Sequence, residues 1–298
     1  MDTIGTDSLQ SFRADGTQVT KVTCKEVRRD PGFFVEDYLA LARCVAELQF
    51  RNRQHVLLFR GQAADHKNRA GHTTLKPTLF RADASGNPSV AELGRRFDAL
   101  RRAEELLVHA YRSESFLGRE RVARQRIVRW SMLQHYEVCR TPLLDVTHSL
   151  RIAASFASHD ATDEAFLYVV GVPGLGGAIS ASSEASLQTV RLASVCPPTA
   201  LRPHLQEGYL IGEYPDIAQI HEKQRYRDHE VDFGRRLIAK FRFAPRRFWK
   251  HDEFPIVPKK WLYPAAENDP LRAVAERIRA AVREAVPEPG PRPRRRTG

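Results

Sequence analysis

The sequence predicts an α+β fold, a single domain in which helices come first and strands follow. Two observations predict it. Apolar residues at helical spacing dominate the first half, short β-branched and aromatic runs fill the second, and the two never alternate as β-α-β units. No Pro/Gly/Ser-rich linker interrupts the middle of the 298 residues, and no internal repeat is visible. The expected layout is a loose N-terminal extension over 1–30, one domain over 31–286, and a disordered basic tail over 287–298, where "PGPRPRRRTG" is rich in Pro, Gly and Arg.

Each element has its own signal. "DPGFFVEDYLALARCVAELQF" places Phe34, Tyr38, Leu41, Val45 and Leu48 on one helical face. "QHVLLFR" reads as a short buried strand ending at Arg60-Gly61-Gln62, followed by a polar loop. Helices are expected over 90–113 and 118–134, and Pro142 interrupts the helical run before "LLDVT". "THSLRIAASFA" restarts a helix, with Thr147 or His148 near its first turn and Leu150, Ala153, Ala154 and Ala157 facing inward. "AFLYVVGV", "LQTVRLASV", "GYLIGEY" and "RRLIAKFRF" are strands by composition. The last helix starts at "NDPLRAV", where Asp269 can cap and Pro270 suits the first position.

Lys and Arg total 47 against 36 acids, a net charge of +11 that favours polyanionic partners. Part of the excess crowds "GRERVARQRIVRW", either a phosphate-holding face or a plain solvated helix surface. No apolar run approaches the ~18–20 residues of a membrane span. The N-terminus lacks the basic start and apolar stretch of a signal peptide, so a cytoplasmic protein with no membrane partner is expected. Four scattered cysteines without a CxxC pair, and eleven histidines with no i, i+3 or i+4 pair, suggest neither disulfides nor a metal. GxxxxGK[ST], HExxH and GxSxG are absent. "VVGVPGLGGAIS" lacks Rossmann spacing and reads as a flexible loop.

Polar residues remain clustered near strand ends. Arg60 and Gln62 follow "LLF"; Gln134, His135, Tyr136, Thr141, Asp145 and Thr147 lie within "LQHYEVCRTPLLDVT"; Gln206 and Glu207 precede "GYLIG". Each has an ordinary explanation as well: Arg60 as partner of a structural carboxylate, Asp145 as a helix cap, His135 as a satisfied core histidine.

"LLFRGQ", "LKPTLFR", "LQHYEVCRTPLLDVTHSLRIAASFA" and "RPHLQEGYLIG" together resemble the FRG-domain family, named for its Phe-Arg-Gly motif, over about residues 50–215. The family form of the central motif is close to QHYGLPTRLLDWT. Here Glu137 stands for the Gly, Cys139-Arg140-Thr141-Pro142 replace Pro-Thr-Arg with one residue more, and Val146 replaces the Trp. FRG domains in turn resemble distant ADP-ribosyltransferases, which implies a split β-sheet core and NAD as the cofactor, consumed as a substrate, with no metal. In that superfamily an Arg or His ends the first core strand, a Ser/Thr segment precedes an alanine-rich helix, and a Glu or Gln begins a late strand. Arg60, Thr147 and Gln206-Glu207 match those placements in order.

The resemblance implies transfer of ADP-ribose to a nucleobase in DNA, single-stranded and with cytosine favoured, in a toxin or phage-defence setting with an antitoxin or a reversing hydrolase as a partner. Cleaving the nicotinamide–ribose bond creates an oxocarbenium-like centre, so a site must clamp the dinucleotide and stabilise positive charge. Catalytic roles are expected for Glu207, Gln206 and Arg60. NAD contacts are expected for Arg60, Gly61, Gln62, His135, Tyr136, Thr147 and Asp145, with Arg60 on the diphosphate, Thr147 orienting a ribose and Tyr136 offering a stacking ring. Gly208 stands where an ExE or QxE pattern would put its second carboxylate, which favours the alternative of a non-catalytic nucleotide- or partner-binding module. An NAD glycohydrolase, with water as acceptor, also stays open.

Overall fold

A computed structural model describes residues 1–83, 86–174, 176–225 and 231–286. The expected tail over 287–298 lies outside them. The strands are β1 (Leu9–Ser11), β2 (Thr20–Val22), β3 (Phe33–Phe34), β4 (Val56–Gln62), β5 (Leu144–Thr147), β6 (Ala165–Val172), β7 (Ile179–Ser182), β8 (Leu187–Arg191), β9 (Gly208–Glu213) and β10 (Leu237–Phe243). β1 and β2 pair with each other. Among the described residues the other eight form one sheet in the order β3-β10-β6-β4-β5-β9-β8-β7, antiparallel throughout except for β3 beside β10. Helices and a large mixed sheet make this the α+β class that the sequence predicts.

The helices begin where their caps stand. Asp37 accepts from the Ala40 N–H and starts the Tyr38–Arg51 helix, so Phe34 falls outside the predicted helix and joins β3 instead. Ser89 caps Val90–Ser113, and Asp269 caps Pro270–Ala285 with Pro270 at its first position. The helical run over 118–134 breaks at Gln125 into Arg119–Arg124 and Arg126–His135. "LLDVT" after Pro142 is strand β5, the centre of the sheet, and "GAIS" contributes β7 rather than a loop.

Residues 1–30 are a correction. They were expected to be loose, yet Leu9, Phe12, Val22, Cys24 and Val27 are buried in the main core, and a Thr23–Glu26 capping box starts the Cys24–Arg29 helix. The elements are too short to show a period, and what holds them is tertiary burial. Arg28 pairs with fully buried Asp232, which ties this segment to the approach to β10.

Among the described residues no helix is long and apolar enough to cross a membrane.

Candidate functional site

The sheet is weakest at its middle. β4 pairs with β6 over its whole length, and β5 pairs with β9 over four residues, but β4 and β5 share the single pair Phe59 opposite Thr147. Beyond Phe59 the two strands diverge, and the Arg60-Gly61-Gln62 edge of β4 faces a cleft of about 600 Å³. Such a concavity at a split in a sheet is a normal place for a ligand. Its floor is the Leu150–His159 helix, which presses on β4 at Gly61. A Cβ there would stand 1.9 Å from the Ala153 carbonyl oxygen and 2.8 Å from the Ala157 nitrogen. The glycine of "FRG" lines the cleft, and this close approach by itself requires a residue without a Cβ.

Arg60 and Asp145 hold the walls together. Arg60 Nη1 donates to the Asp145 carbonyl oxygen at 2.5 Å, while its buried Nε has no partner. Burial pushes the Arg60 pKa down and Asp145 works against it; a guanidinium stays a cation regardless. The Asp145 carboxylate accepts from Gln134 Nε2 at 2.7 Å and meets His135 Nδ1 at 3.4 Å. Thr141 and Thr78 donate to Gln134 Oε1 at 2.7 and 3.0 Å, which fixes the amide with its nitrogen toward Asp145. Burial acts to raise the Asp145 pKa, but the His135 contact, the Arg60 charge and the Gln134 bond outweigh it and hold the carboxyl below its usual range. His135, only 3% exposed, is held neutral mainly by burial. A neutral ring with its proton on Nδ1 leaves Nε2 as a buried acceptor without a partner.

The other expected residues divide. Gln62 lines the cleft, and its buried Oε1 is unpartnered. Thr147 lines it too, but its hydroxyl is engaged by backbone: Oγ1 donates to the Gln206 carbonyl at 2.8 Å and accepts from the Ser149 N–H at 3.0 Å. It anchors the end of β5 to the 206–207 turn. Gln206 lines the cleft while Nε2 donates to the Leu262 carbonyl at 2.7 Å. Two expectations are corrected. Tyr136 is 2% exposed and does not line the cleft; its hydroxyl donates to Asp269 at 2.9 Å, pinning the last helix. Glu207 is exposed and also lies off the cleft wall, in a left-handed turn at φ +45°. Gly208 does line the cleft, yet a Cβ there would meet Leu192 Cδ1 at 2.8 Å and His135 Cε1 at 3.3 Å, so the position has little room for a carboxylate side chain.

Sequence reasoning missed residues that come from distant segments. Arg81, the last residue of "LKPTLFR", lines the cleft, and its pKa is pushed down to about 10 by burial and then by the Arg60 charge. Arg202 donates to Glu137 Oε1 at 2.7 Å across the rim and lies over the Tyr263 ring at 4.6 Å. Tyr263 packs edge-on to Phe156, both on the wall. Glu137 had a signal in hindsight: it replaces the family glycine, and its φ is +56°, the left-handed conformation that glycine adopts freely.

Among the described residues no group of three or more His, Cys, Asp or Glu is placed to hold a metal ion.

Residues 55–165 match the family model of the FRG domain. The FRG match runs from the start of β4 through the split, the 134–147 motif and the helical floor to the first residue of β6. Most of the cleft lining therefore lies inside the matched segment, including Arg60, Gln134, His135 and Asp145, while Arg202, Gln206, Gly208 and Tyr263 come from beyond it. No curated protein and no solved structure matches the chain.

Proposed function

We propose that the FRG cleft binds NAD and that the protein transfers ADP-ribose from it to a nucleobase in DNA. The observation behind this reading is a concentration of unmatched polarity. Of six buried side-chain polar atoms without a partner among the described residues, four belong to residues lining this one cleft: Arg60 Nε, Gln62 Oε1, His135 Nε2 and Arg202 Nε. Buried polar groups are paired as a rule, so donors and acceptors left open in a cavity fit a polar ligand that supplies the missing partners. Three guanidiniums, Arg60, Arg81 and Arg202, suit a diphosphate, which accepts forked hydrogen bonds.

Chemistry is supported by the carboxylates. Bond cleavage to nicotinamide leaves positive charge on the ribose, and Asp145 is fixed and ionised, with 33% of its side chain still open. Glu137 stands at the rim in a strained conformation, and strain of roughly 1–3 kcal/mol tends to be kept at sites that use it. Tyr263 and Phe156 offer ring surface for nicotinamide or an entering base.

A binding-only module is the second reading, favoured by Glu207 lying off the wall and by the crowding at Gly208. Incubation with labelled NAD and separate pools of single-stranded DNA, duplex DNA, RNA and protein separates them. Nicotinamide release with an ADP-ribose adduct on a nucleoside, cytidine first, supports transfer. Free ADP-ribose without an adduct indicates a glycohydrolase, and saturable binding with intact NAD indicates the module.

A further inference from the structure

The arginine-rich run over 119–129 attracts attention in the sequence, but the structure engages most of it. Arg129 pairs with Glu104 at 2.9 Å and donates to the Val122 and Ala123 carbonyls. Arg121 donates to the Ser194 carbonyl, Arg124 pairs with Glu120, and Arg126 lies over the Trp130 ring.

A second basic cluster lies elsewhere. A second groove of about 760 Å³ adjoins the cleft and shares Gln62, His66 and Arg81 with it. Lys67, Arg69 and Lys76 add to its wall, and no carboxylate lines it among the described residues. Asp65 stands 3.7 Å from Lys67, and its charge is also met by Lys240 at 2.8 Å and by the Tyr168 hydroxyl at 3.1 Å. Lys240 is 1% exposed and also donates to Thr73 Oγ1 at 2.7 Å, so a buried network holds both ends of the loop that displays Lys67 and Arg69. Backbone bonds from Thr74 to His66 and from Thr73 to Arg28 stiffen it further. A groove with a braced loop on one side, whose charged lining residues among those described are all basic, is suited to a phosphate backbone.

We infer that this groove is the track of the acceptor strand: a single-stranded nucleic acid lies along Lys67, Arg69 and Lys76 and turns one base past Arg81 into the cleft. The inference rests on the proposed reading of the cleft. A single strand suits it because a base can then enter the cleft without the few kcal/mol needed to flip it from a duplex.

The first measurement needs neither NAD nor turnover, and NAD binding and nicotinamide release are then measured on the same proteins. A short fluorescent single-stranded oligonucleotide is titrated by anisotropy into the full chain and into Lys67→Glu/Arg69→Glu, two exposed positions whose melting curves should match the parent. The expected result is about tenfold weaker binding by the charge-reversed protein, an intermediate loss for Lys67→Gln/Arg69→Gln, and a salt dependence shallower by roughly 1.4 in log–log slope, about 0.7 per lost contact. Arg119→Glu/Arg126→Glu should bind within about twofold of the parent after the same salt correction. Equal binding by parent and Lys67→Glu/Arg69→Glu overturns the inference, whatever nicotinamide release shows. Weakened NAD binding with unchanged oligonucleotide binding also overturns it, because the groove would then hold the dinucleotide. Displacement by heparin as effective as by unlabelled oligonucleotide overturns the assignment to nucleic acid. Groove-dependent binding in a protein that leaves NAD intact upholds the track and removes the transferase reading.

Discussion

Gly61 and Ala153 meet more closely than any side chain would allow: the ideal Cβ of Gly61 falls 1.9 Å from the Ala153 carbonyl oxygen. The strand that presents Arg60 to the cleft is seated directly on the alanine-rich helix, with Ala153, Ala154 and Ala157 all fully buried. Small residues on both partners bring the two backbones together, and this sets the depth of the cleft floor.

Gly61→Ala should therefore act on the fold. The inserted methyl forces strand and helix apart, at a cost of about 1–3 kcal/mol or more from overpacking. Urea unfolding should show a lower midpoint with an unchanged slope. A normal midpoint would mean that strand and helix do not approach this closely.

Arg60→Ala should abolish NAD binding and nicotinamide release, and Arg60→Lys should restore little, because an ammonium cannot reproduce the fork. The same change leaves the Asp145 carbonyl without its donor, so a stability loss of about 1–3 kcal/mol is expected alongside. Rates per folded molecule, taken with a thermal melt, keep the two effects apart. Parent-like NAD affinity in the folded variant removes Arg60 from the site.

Much of this was legible in the sequence because the signals are local. Asp37, Asp269 and Pro270 announce helix starts through their own side chains, and "LLFRGQ" announces a strand end. The class followed from such signals, and so did the concentration of polar groups over 134–147. A split sheet was implied by the resemblance alone, and its position between β4 and β5 was not legible, because one residue pair decides it and pairing partners lie 88 positions apart. Tyr136 and Thr147 illustrate the same limit: both carry hydroxyls suited to a ligand, yet Asp269 and the Gln206 carbonyl, far along the chain, claim them first. Tyr263 belongs to a segment with no motif, and Arg202 opens "RPHLQEGYLIG" without any local signal of a ligand; only the fold brings Arg202 to Glu137 and Tyr263 to the cleft.

Thr147→Val should reduce stability more than turnover. Its hydroxyl joins the end of β5 to the 206–207 turn, and removing it leaves buried backbone groups short of a partner, worth about 1–3 kcal/mol. Thr147→Ser should recover most of that loss. A lower melting point with a normal rate per folded molecule is expected; the opposite pattern would return Thr147 to the ligand.

His135 and Asp145 make stability fall on the acid side. The folded pKa of His135 lies below its unfolded value near 6.5, so below about pH 6.5 the unfolded chain binds the extra proton and stability declines. Asp145 has its folded pKa lowered as well, so its contribution is present above an unfolded value of about 3.9 and is lost as pH falls further. His55 and His72 are lowered too, so the parent alone does not isolate the pair. Denaturation midpoints from pH 7.5 to 5 should fall less steeply in His135→Asn than in the parent. Parallel curves would show that His135 is not held neutral.

Glu137 and Glu207 provide the sharpest contrast, since both are exposed glutamates at positive φ and only Glu137 lines the cleft. Glu207→Gln should leave nicotinamide release within about twofold of the parent, as befits a surface side chain away from the site. Glu137→Gln should lower the rate by roughly a hundredfold or more if the carboxylate takes a proton from the acceptor, within the range general-base catalysis contributes. Glu137→Gly separates charge from strain: relief of the left-handed backbone should raise the melting temperature while the rate stays low. A full rate in Glu137→Gln together with a lost rate in Glu207→Gln would reverse these assignments. It would require the 206–207 turn to swing toward the cleft when NAD is bound, which hydrogen exchange at Gln206–Gly208 with and without NAD would detect.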